Sequence, residues 1–105
     1  MNKILYYDLF FINKSNNLIN IKKNFFILIN YIISNNGIIL KVEFCGEKKF
    51  FYPIKKNIRG YYIIIFFYSY SNILNKIYHF FKKNDNILRY LIIKFKYNNN
   101  YITNN

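Results

Sequence analysis

The stretch GEKKFFYPIKKNIRGYYIIIFFY, residues 46–68, joins a basic segment to a run of aromatic and branched aliphatic residues. The run from Tyr61 to Tyr68 is far shorter than the roughly 20 residues of a membrane-spanning helix, and its residue types favour a strand. Because it does not alternate with polar residues, we predict a central strand that is apolar on both faces. The preceding PIKKNIRG, residues 53–60, contains the single proline and a glycine, which predicts a turn.

Two segments on either side of this region show the three- and four-residue spacing of amphipathic helices. We predict that the first begins after Ser15 as its N-cap and ends at Gly37, and that the second begins after Ser71 and ends at the sequence KKND, residues 82–85. The apolar stripes are formed by Leu18, Ile21, Phe25, Leu28, Ile29 and Ile32 in the first helix and by Ile73, Leu74, Ile77, Phe80 and Phe81 in the second.

Three further segments have the character of strands: residues 4–12, 38–52 and 86–96. In the second of them Leu40, Val42 and Phe44 share one predicted face, and Gly46 predicts a bulge or bend. The order strand, helix, strand, strand, helix, strand predicts an α+β, ferredoxin-like fold, with a four-stranded antiparallel sheet and two helices on one face. We expect one domain over residues 1–97 and a disordered, Asn-rich tail at 98–105.

The charge balance is strongly basic, because 16 Lys and Arg residues stand against 4 Asp and Glu residues and give a formal net charge of +12. Part of this excess reflects a composition dominated by Asn, Ile, Lys, Tyr and Phe, which is typical of a very AT-rich genome. The scarcity of acidic residues is not explained in that way. We therefore expect a polyanionic partner, either nucleic acid or an anionic membrane surface.

Side chains that could carry out chemistry are few and scattered. Cys45 and His79 are the single cysteine and histidine, and the four carboxylates form no spaced pair typical of acid–base catalysis. The sequence shows no metal-ligand cluster and no glycine-rich phosphate loop. We predict a protein that is not an enzyme and uses no cofactor or metal. Asp8 interrupts the apolar N-terminal segment, so we expect no signal peptide.

Three segments carry a resemblance to a known family: YYDLFFI at 6–12, CGEKKFFYPIKKNIRGYY at 45–62 and KKNDNILRYLIIK at 82–94. The middle segment is the most specific, because Tyr52-Pro53-Ile54 with flanking basic residues falls between two predicted strands. With this element spacing, the chain resembles the bacterial-type small-subunit ribosomal protein six family. Phe51 departs from the family pattern, which usually has alanine at that position.

The resemblance implies a structural constituent of the small ribosomal subunit that binds small-subunit (16S-type) rRNA together with small-subunit ribosomal protein eighteen. Basic side chains would neutralise phosphates and release counterions. We expect the RNA-binding group to be Lys48, Lys49, Lys55, Lys56 and Arg59.

The face of the sheet without helices is expected to need a cover, which the protein partner would supply. We assign Tyr7, Tyr62 and Arg89 to this partner interface. Arg89 lies among apolar residues and is expected to be partly buried, where it either pairs with Asp8 or Asp85 or faces the partner.

Two other classes of function remain open from the sequence. One is a regulatory or dimerising ferredoxin-like binding module without RNA affinity, which would use the open face of its sheet. The other is a membrane-surface protein that uses basic and aromatic side chains. For the ribosomal interpretation, the composition suits the cytoplasmic ribosome of a bacterium with an AT-rich genome or an organellar ribosome.

Overall fold

The structure is a computed structural model and describes residues 4–15 and 17–95, so the expectation for a disordered tail at 98–105 lies outside the described residues. Its elements confirm the predicted order. They are β1 (Ile4–Lys14), α1 (Leu18–Ser34), β2 (Ile38–Ile54), β3 (Asn57–Tyr70), α2 (Ile73–Lys83) and β4 (Ile87–Phe95).

The four strands form one antiparallel sheet in the order β2-β3-β1-β4, as the ferredoxin-like prediction requires. β1 and β3 are the central pair, which explains why both lack a polar face. Their register places Leu9 opposite Ile65, and on the other side of β1 Leu9 lies opposite Ile92. Both helices cover the face that carries these three residues, and we call it the covered face.

The hydrophobic core lies between the covered face and the two helices. Leu9, Ile65 and Phe67 of the central strands are fully buried, as are Leu28 of α1 and Ile77 of α2. Each such side chain contributes roughly 1.5–3 kcal/mol by leaving water. The helix stripes predicted from the sequence therefore supply the core, with the exception of Leu18, which is 57% exposed at the start of α1.

Both predicted helix caps are displaced towards the helix by one or two residues. Asn17, not Ser15, caps α1, because its Oδ1 accepts hydrogen bonds from the backbone N–H groups of Ile19 (2.9 Å) and Asn20 (3.3 Å). Asparagine and serine cap equally well, so the candidate next to the first helical residue is the one used. Likewise Asn72 precedes α2, although its side chain makes no capping hydrogen bond.

The helix α1 ends close to the predicted position, but the structural role of the glycine there differs from the predicted one. The helix ends at Ser34, and Asn36 adopts the left-handed conformation with φ 60°. Gly37 is needed for another reason: a Cβ atom there would lie 2.6 Å from Cγ2 of Ile32 and 2.9 Å from the carbonyl oxygen of Tyr68. Glycine thus permits a close approach of α1 to β3.

β2 is irregular. The register shifts between Ile39 and Lys41, which leaves Leu40 without a partner in β3 and about half exposed. The predicted bend at Gly46 is confirmed, because the register shifts again before this residue and its φ is +85°. Each bulge re-aims the strand and increases its twist.

Candidate nucleic-acid interface

The β2–β3 hairpin is longer than the sheet that supports it. Gly60 is opposite Lys14, the last residue of β1, and also opposite Lys48 of β2. Beyond this point the two strands pair only with each other. We call residues 47–60 the hairpin arm, and it carries all five residues that the sequence predicts to bind RNA.

The tip of the arm is a two-residue turn formed by Lys55 and Lys56, with Ile54 paired to Asn57. Both lysines have positive φ values, 47° and 66°, as in a type I′ turn. Asn57 Nδ2 donates to the carbonyl oxygen of Lys55 at 2.9 Å, and Lys55 Nζ donates to the carbonyl oxygen of Ile87 at 3.4 Å. The turn predicted over residues 53–60 is therefore confined to two residues, and its tip contacts the start of β4.

The five cations of the arm are all exposed and share one carboxylate. Lys49 and Arg59 face each other in the register. The Nη1 atom of Arg59 lies 3.4 Å from Oε1 of Glu47, and Lys48 Nζ lies 5.9 Å from the centre of the Tyr62 ring. Five positive charges against one negative charge leave a strongly basic arm that can neutralise several phosphates.

Lys41, in the same strand but outside the arm, behaves differently. Its Nζ lies 2.8 Å from Oε1 of Glu43, and this hydrogen bond raises the pKa of Lys41 above its ordinary value. Its charge is therefore locally compensated, whereas the arm carries a net excess. The basic character of β2 is concentrated in the part that extends past the sheet.

The arm is also rich in aromatic rings. Phe50 packs edge-on against Tyr62 with 6.2 Å between ring centres. This packing depends on Gly60, where a Cβ atom would lie 2.6 Å from Cζ of Phe50 and would also collide with Ile12. Phe51 and Tyr52 instead project into solvent, and Phe51 is 107% exposed relative to a free side chain. A cleft between the arm and the sheet is lined by Phe50, Phe51, Tyr52, Tyr62, Lys48 and Lys49.

The face of the sheet opposite the helices, which we call the open face, carries two of the three predicted partner residues. Tyr62 and Arg89 line one apolar depression together with Phe10, Ile12 and Leu91. Within the described part of the chain Arg89 forms no ion pair with Asp8 or Asp85, and it is exposed rather than partly buried. Arg89 therefore lies on the open face, and its assignment to a partner interface stays a prediction.

The placement of Tyr7 does not agree with its assignment to a partner interface. Tyr7 lies on the covered face, is 0% exposed and stacks on Phe67 with 5.2 Å between ring centres. Side chains alternate between faces along a strand, so the neighbouring Tyr6, not Tyr7, belongs to the open face. The sequence could not separate these two tyrosines, because β1 is apolar on both faces.

Elsewhere, the residues with the most reactive side chains lie apart. Cys45 is exposed on the open face beside Phe10, whereas His79 is exposed on α2, in a shallow cleft next to Tyr78. Residues 4–15 and 17–95 contain no group of three or more potential metal ligands. Over the same residues, no helix combines the length and apolar character needed to cross a membrane.

Comparison with known proteins identifies the family to which the chain belongs. The family model for ribosomal protein S6 matches residues 6–94. The small ribosomal subunit protein bS6 of Clostridioides difficile is 29% identical over 87 residues, which are 83% of this chain and 95% of that protein. The bS6 protein of Thermoanaerobacter pseudethanolicus is 38% identical over 65 residues, which are 62% of this chain and 68% of that protein.

A solved structure gives the same result in three dimensions. The crystal structure of 30S ribosomal protein S6 from Thermotoga maritima matches with a TM-score of 0.78 and 28% identity, and the match covers 89% of each chain. The region matched by the family model includes β3, the hairpin arm and all of β1 except its first two residues. The chain belongs to the ribosomal protein S6 family of the small ribosomal subunit.

Proposed function

We propose that this chain is a structural constituent of the small subunit of a cytoplasmic ribosome and binds small-subunit (16S-type) rRNA through its hairpin arm. The observation that carries the proposal is the arm itself, with five exposed cations and one carboxylate on a hairpin that extends past the end of β1. Members of the family are structural components of ribosomes rather than enzymes.

The binding mechanism follows from the charges. Each lysine or arginine that contacts a phosphate releases condensed counterions, so affinity falls with salt in proportion to the number of contacts. Such contacts fix the position of the protein on RNA and do not read the base sequence. Because β2 and β3 are paired at Lys49–Arg59 and at Ile54–Asn57, the backbone of the arm loses less conformational entropy on binding than an unpaired loop would.

Small-subunit ribosomal protein eighteen is the partner that we propose for the open face. Tyr62 and Arg89 lie together there at an apolar depression, and Tyr6 replaces Tyr7 in the proposed interface. An uncovered apolar face of this kind favours a protein contact over a second RNA contact. rRNA and protein eighteen would then use different surfaces of the chain, namely the arm and the open face.

The experiment measures binding to a central-domain rRNA fragment at several salt concentrations, with and without protein eighteen. In one variant Lys55 and Lys56 are replaced by Asn and Gly, which suit a type I′ turn and remove two charges. The slope of log affinity against log salt should become shallower by about two, one per lost phosphate contact. A matched control replaces the exposed pair Lys22 and Lys23 of α1 by alanine, and its slope should stay close to that of the wild type.

Two outcomes would contradict the proposal. Equal effects of the two lysine pairs would mean that net charge, not the arm, drives binding. A homodimer formed through the open face, with no affinity for rRNA, would instead favour the regulatory or dimerising module.

A further inference from the structure

Phe51 is the most exposed aromatic side chain of the arm, and the contacts above do not explain it. Its ring is fully exposed, whereas other exposed phenylalanines keep part of their surface covered: Phe26 is 57% exposed and Phe44 is 54% exposed. Phe26 and Phe44 also both contact the ring of Phe25. Phe51 contributes to no aromatic pair among the described residues. It therefore contributes little to the stability of the folded chain.

The backbone on both sides of Phe51 is paired. Lys49 lies opposite Arg59 and Ile54 opposite Asn57, with a register shift between these two pairs, and the neighbouring Phe50 packs against Tyr62 over Gly60. A ring presented on a braced hairpin loses little conformational freedom when it binds a flat partner surface. This is the geometry of an aromatic anchor rather than of a loosely tethered side chain.

The chemistry around the ring restricts what it can bind. Phe51 lines a cleft with Lys48, Lys49 and Tyr52, and Lys49 lies opposite Arg59 in the register. An apolar peptide would cover the ring but offer no negative charge to Lys48 and Lys49. A nucleotide can contact both the ring and the cations. Its base has a planar face that stacks on the ring, and its phosphate carries the negative charge.

We propose that Phe51 stacks on an unpaired RNA base while Lys49 and Arg59 neutralise the flanking phosphates. The inference rests on the proposed function of the arm as an RNA-binding element and adds a base contact to its phosphate contacts. Stacking on phenylalanine tolerates any base, so the contact selects single-stranded or bulged RNA and does not read sequence.

The chain contains no tryptophan, so the fluorescence of a single introduced tryptophan reports on its own position. Phe51→Trp introduces a single indole at the proposed stacking position, and Phe26→Trp introduces one at an exposed phenylalanine of α1 as the matched control. Each protein is titrated with single-stranded oligouridylate and, separately, with the rRNA fragment. We expect the fluorescence of the Phe51→Trp protein to be quenched on binding and that of the Phe26→Trp protein to stay unchanged. Binding without quenching at position 51 would overturn the proposal.

A second measurement separates stacking from charge. Phe51→Leu should weaken RNA binding by about 5- to 100-fold with an unchanged salt slope, because a base contact is lost and no phosphate contact is lost. Phe51→Tyr should retain the affinity. Both variants should melt at the wild-type temperature, since the ring is exposed, and Phe26→Leu should bind as the wild type does.

The outcomes distinguish this inference from the proposed function. Normal rRNA binding by Phe51→Leu would overturn stacking and leave the ribosomal assignment intact. Quenching by oligouridylate without preference for the rRNA fragment would support stacking and remove the rRNA assignment. Weaker binding of protein eighteen by Phe51→Leu, with unchanged RNA affinity, would assign the ring to a protein interface and overturn the proposal.

Discussion

The two faces of the central strands carry similar side chains but have different surroundings. Leu9 and Ile65 on the covered face are fully buried under the helices, whereas Phe10 and Ile64 on the open face are only partly buried. The residue types do not differ enough to tell the faces apart. The comparison shows that helix connectivity, not hydrophobicity along the strand, decides which face forms the core.

The buried polar groups of the two faces can be compared in the same way. Near the end of the covered face, Asn24 Nδ2 donates to Oδ1 of the buried Asn13 at 2.7 Å, and Asn84 Nδ2 donates to Oδ1 of Asn24 at 2.9 Å. This asparagine ladder joins β1, α1 and the loop before β4. On the open face, Oδ1 of Asp8 is buried between Phe66 and Ile93 and makes no hydrogen bond within the described residues. The covered face also holds the Tyr7 hydroxyl, which like Oδ1 of Asp8 has no hydrogen-bond partner within the described residues, so it is the asparagine ladder that distinguishes the two faces.

The largest expected difference is in the free energy of unfolding, between side-chain truncations on the covered face and on the open face. Leu9→Ala should lower the free energy of unfolding by about 2–5 kcal/mol, because it leaves a cavity in a closed core. Ile64→Ala should cost clearly less, since the side chain is already partly in water. Urea unfolding of the two variants measures this difference. Equal losses would mean that the open face is as well packed as the covered one.

The asparagine ladder should give the next largest effect. Asn24→Ala removes the partner of Asn13 and Asn84, so the free energy of unfolding should fall by about 1–3 kcal/mol. Asn30→Ala is the matched control, because Asn30 is an exposed residue of the same helix and gains the same helix propensity. If both variants were equally stable, the ladder would contribute nothing to stability.

Much of this architecture could be predicted from the sequence. The spacing of Ile21, Leu28 and Ile32 predicts α1, and the unbroken run after Gly60 predicts a central strand; both were confirmed. These predictions succeed because periodicity and strand propensity are local properties. Asn24 was missed, since a buried asparagine differs from a surface one only through contacts with Asn13 and Asn84, which are distant in sequence.

The candidate site was predictable in composition but not in shape. The position of Lys48 to Arg59 between two strands indicates a basic hairpin, and the structure places all five cations there. The two-residue turn at Lys55 and Lys56 was not predicted, because type I′ turns favour Asn-Gly and lysine is unusual with positive φ. The face of Tyr7 also depended on long-range packing, because a shift of one residue exchanges the two faces of a strand.

Asp8→Asn should change the free energy of unfolding less than Asn24→Ala does. It removes an Oδ1 atom that has no hydrogen-bond partner within the described residues, but it also removes the carboxylate that raises the pKa of Tyr6 through a hydrogen bond and its charge, so we expect a net change below about 1 kcal/mol. Asp85→Asn, at an exposed loop position, is the control and should have little effect. Chemical denaturation at neutral pH measures both. A larger loss of stability in Asp8→Asn would show that the carboxylate has a stabilising partner in the folded chain.

The smallest expected effect is a difference in stability at alkaline pH. It separates variants of Tyr6, on the open face, from variants of Tyr7, on the covered face. Burial raises the pKa of both tyrosines above 10.0; the Asp8 carboxylate adds to the effect on Tyr6, and Tyr78 adds to it on Tyr7. A raised pKa in the folded state means that the unfolded chain loses its protons first. The stability contributed by each tyrosine is therefore complete below about pH 10 and is lost as pH rises through the folded-state pKa.

Tyr7→Phe removes this dependence at the covered face, along with a hydroxyl that has no hydrogen-bond partner within the described residues. The variant should be at least as stable as the wild type near pH 7 and should lose less stability between about pH 9 and 11. Denaturant unfolding across that range compares it with Tyr6→Phe. Because Tyr6 responds to Asp8, the alkaline loss that belongs to Tyr6 should shrink in the Asp8→Asn background, whereas the loss that belongs to Tyr7 should not. An equal response of the two tyrosines to Asp8→Asn would mean that the carboxylate acts through the sheet and not on the open face alone.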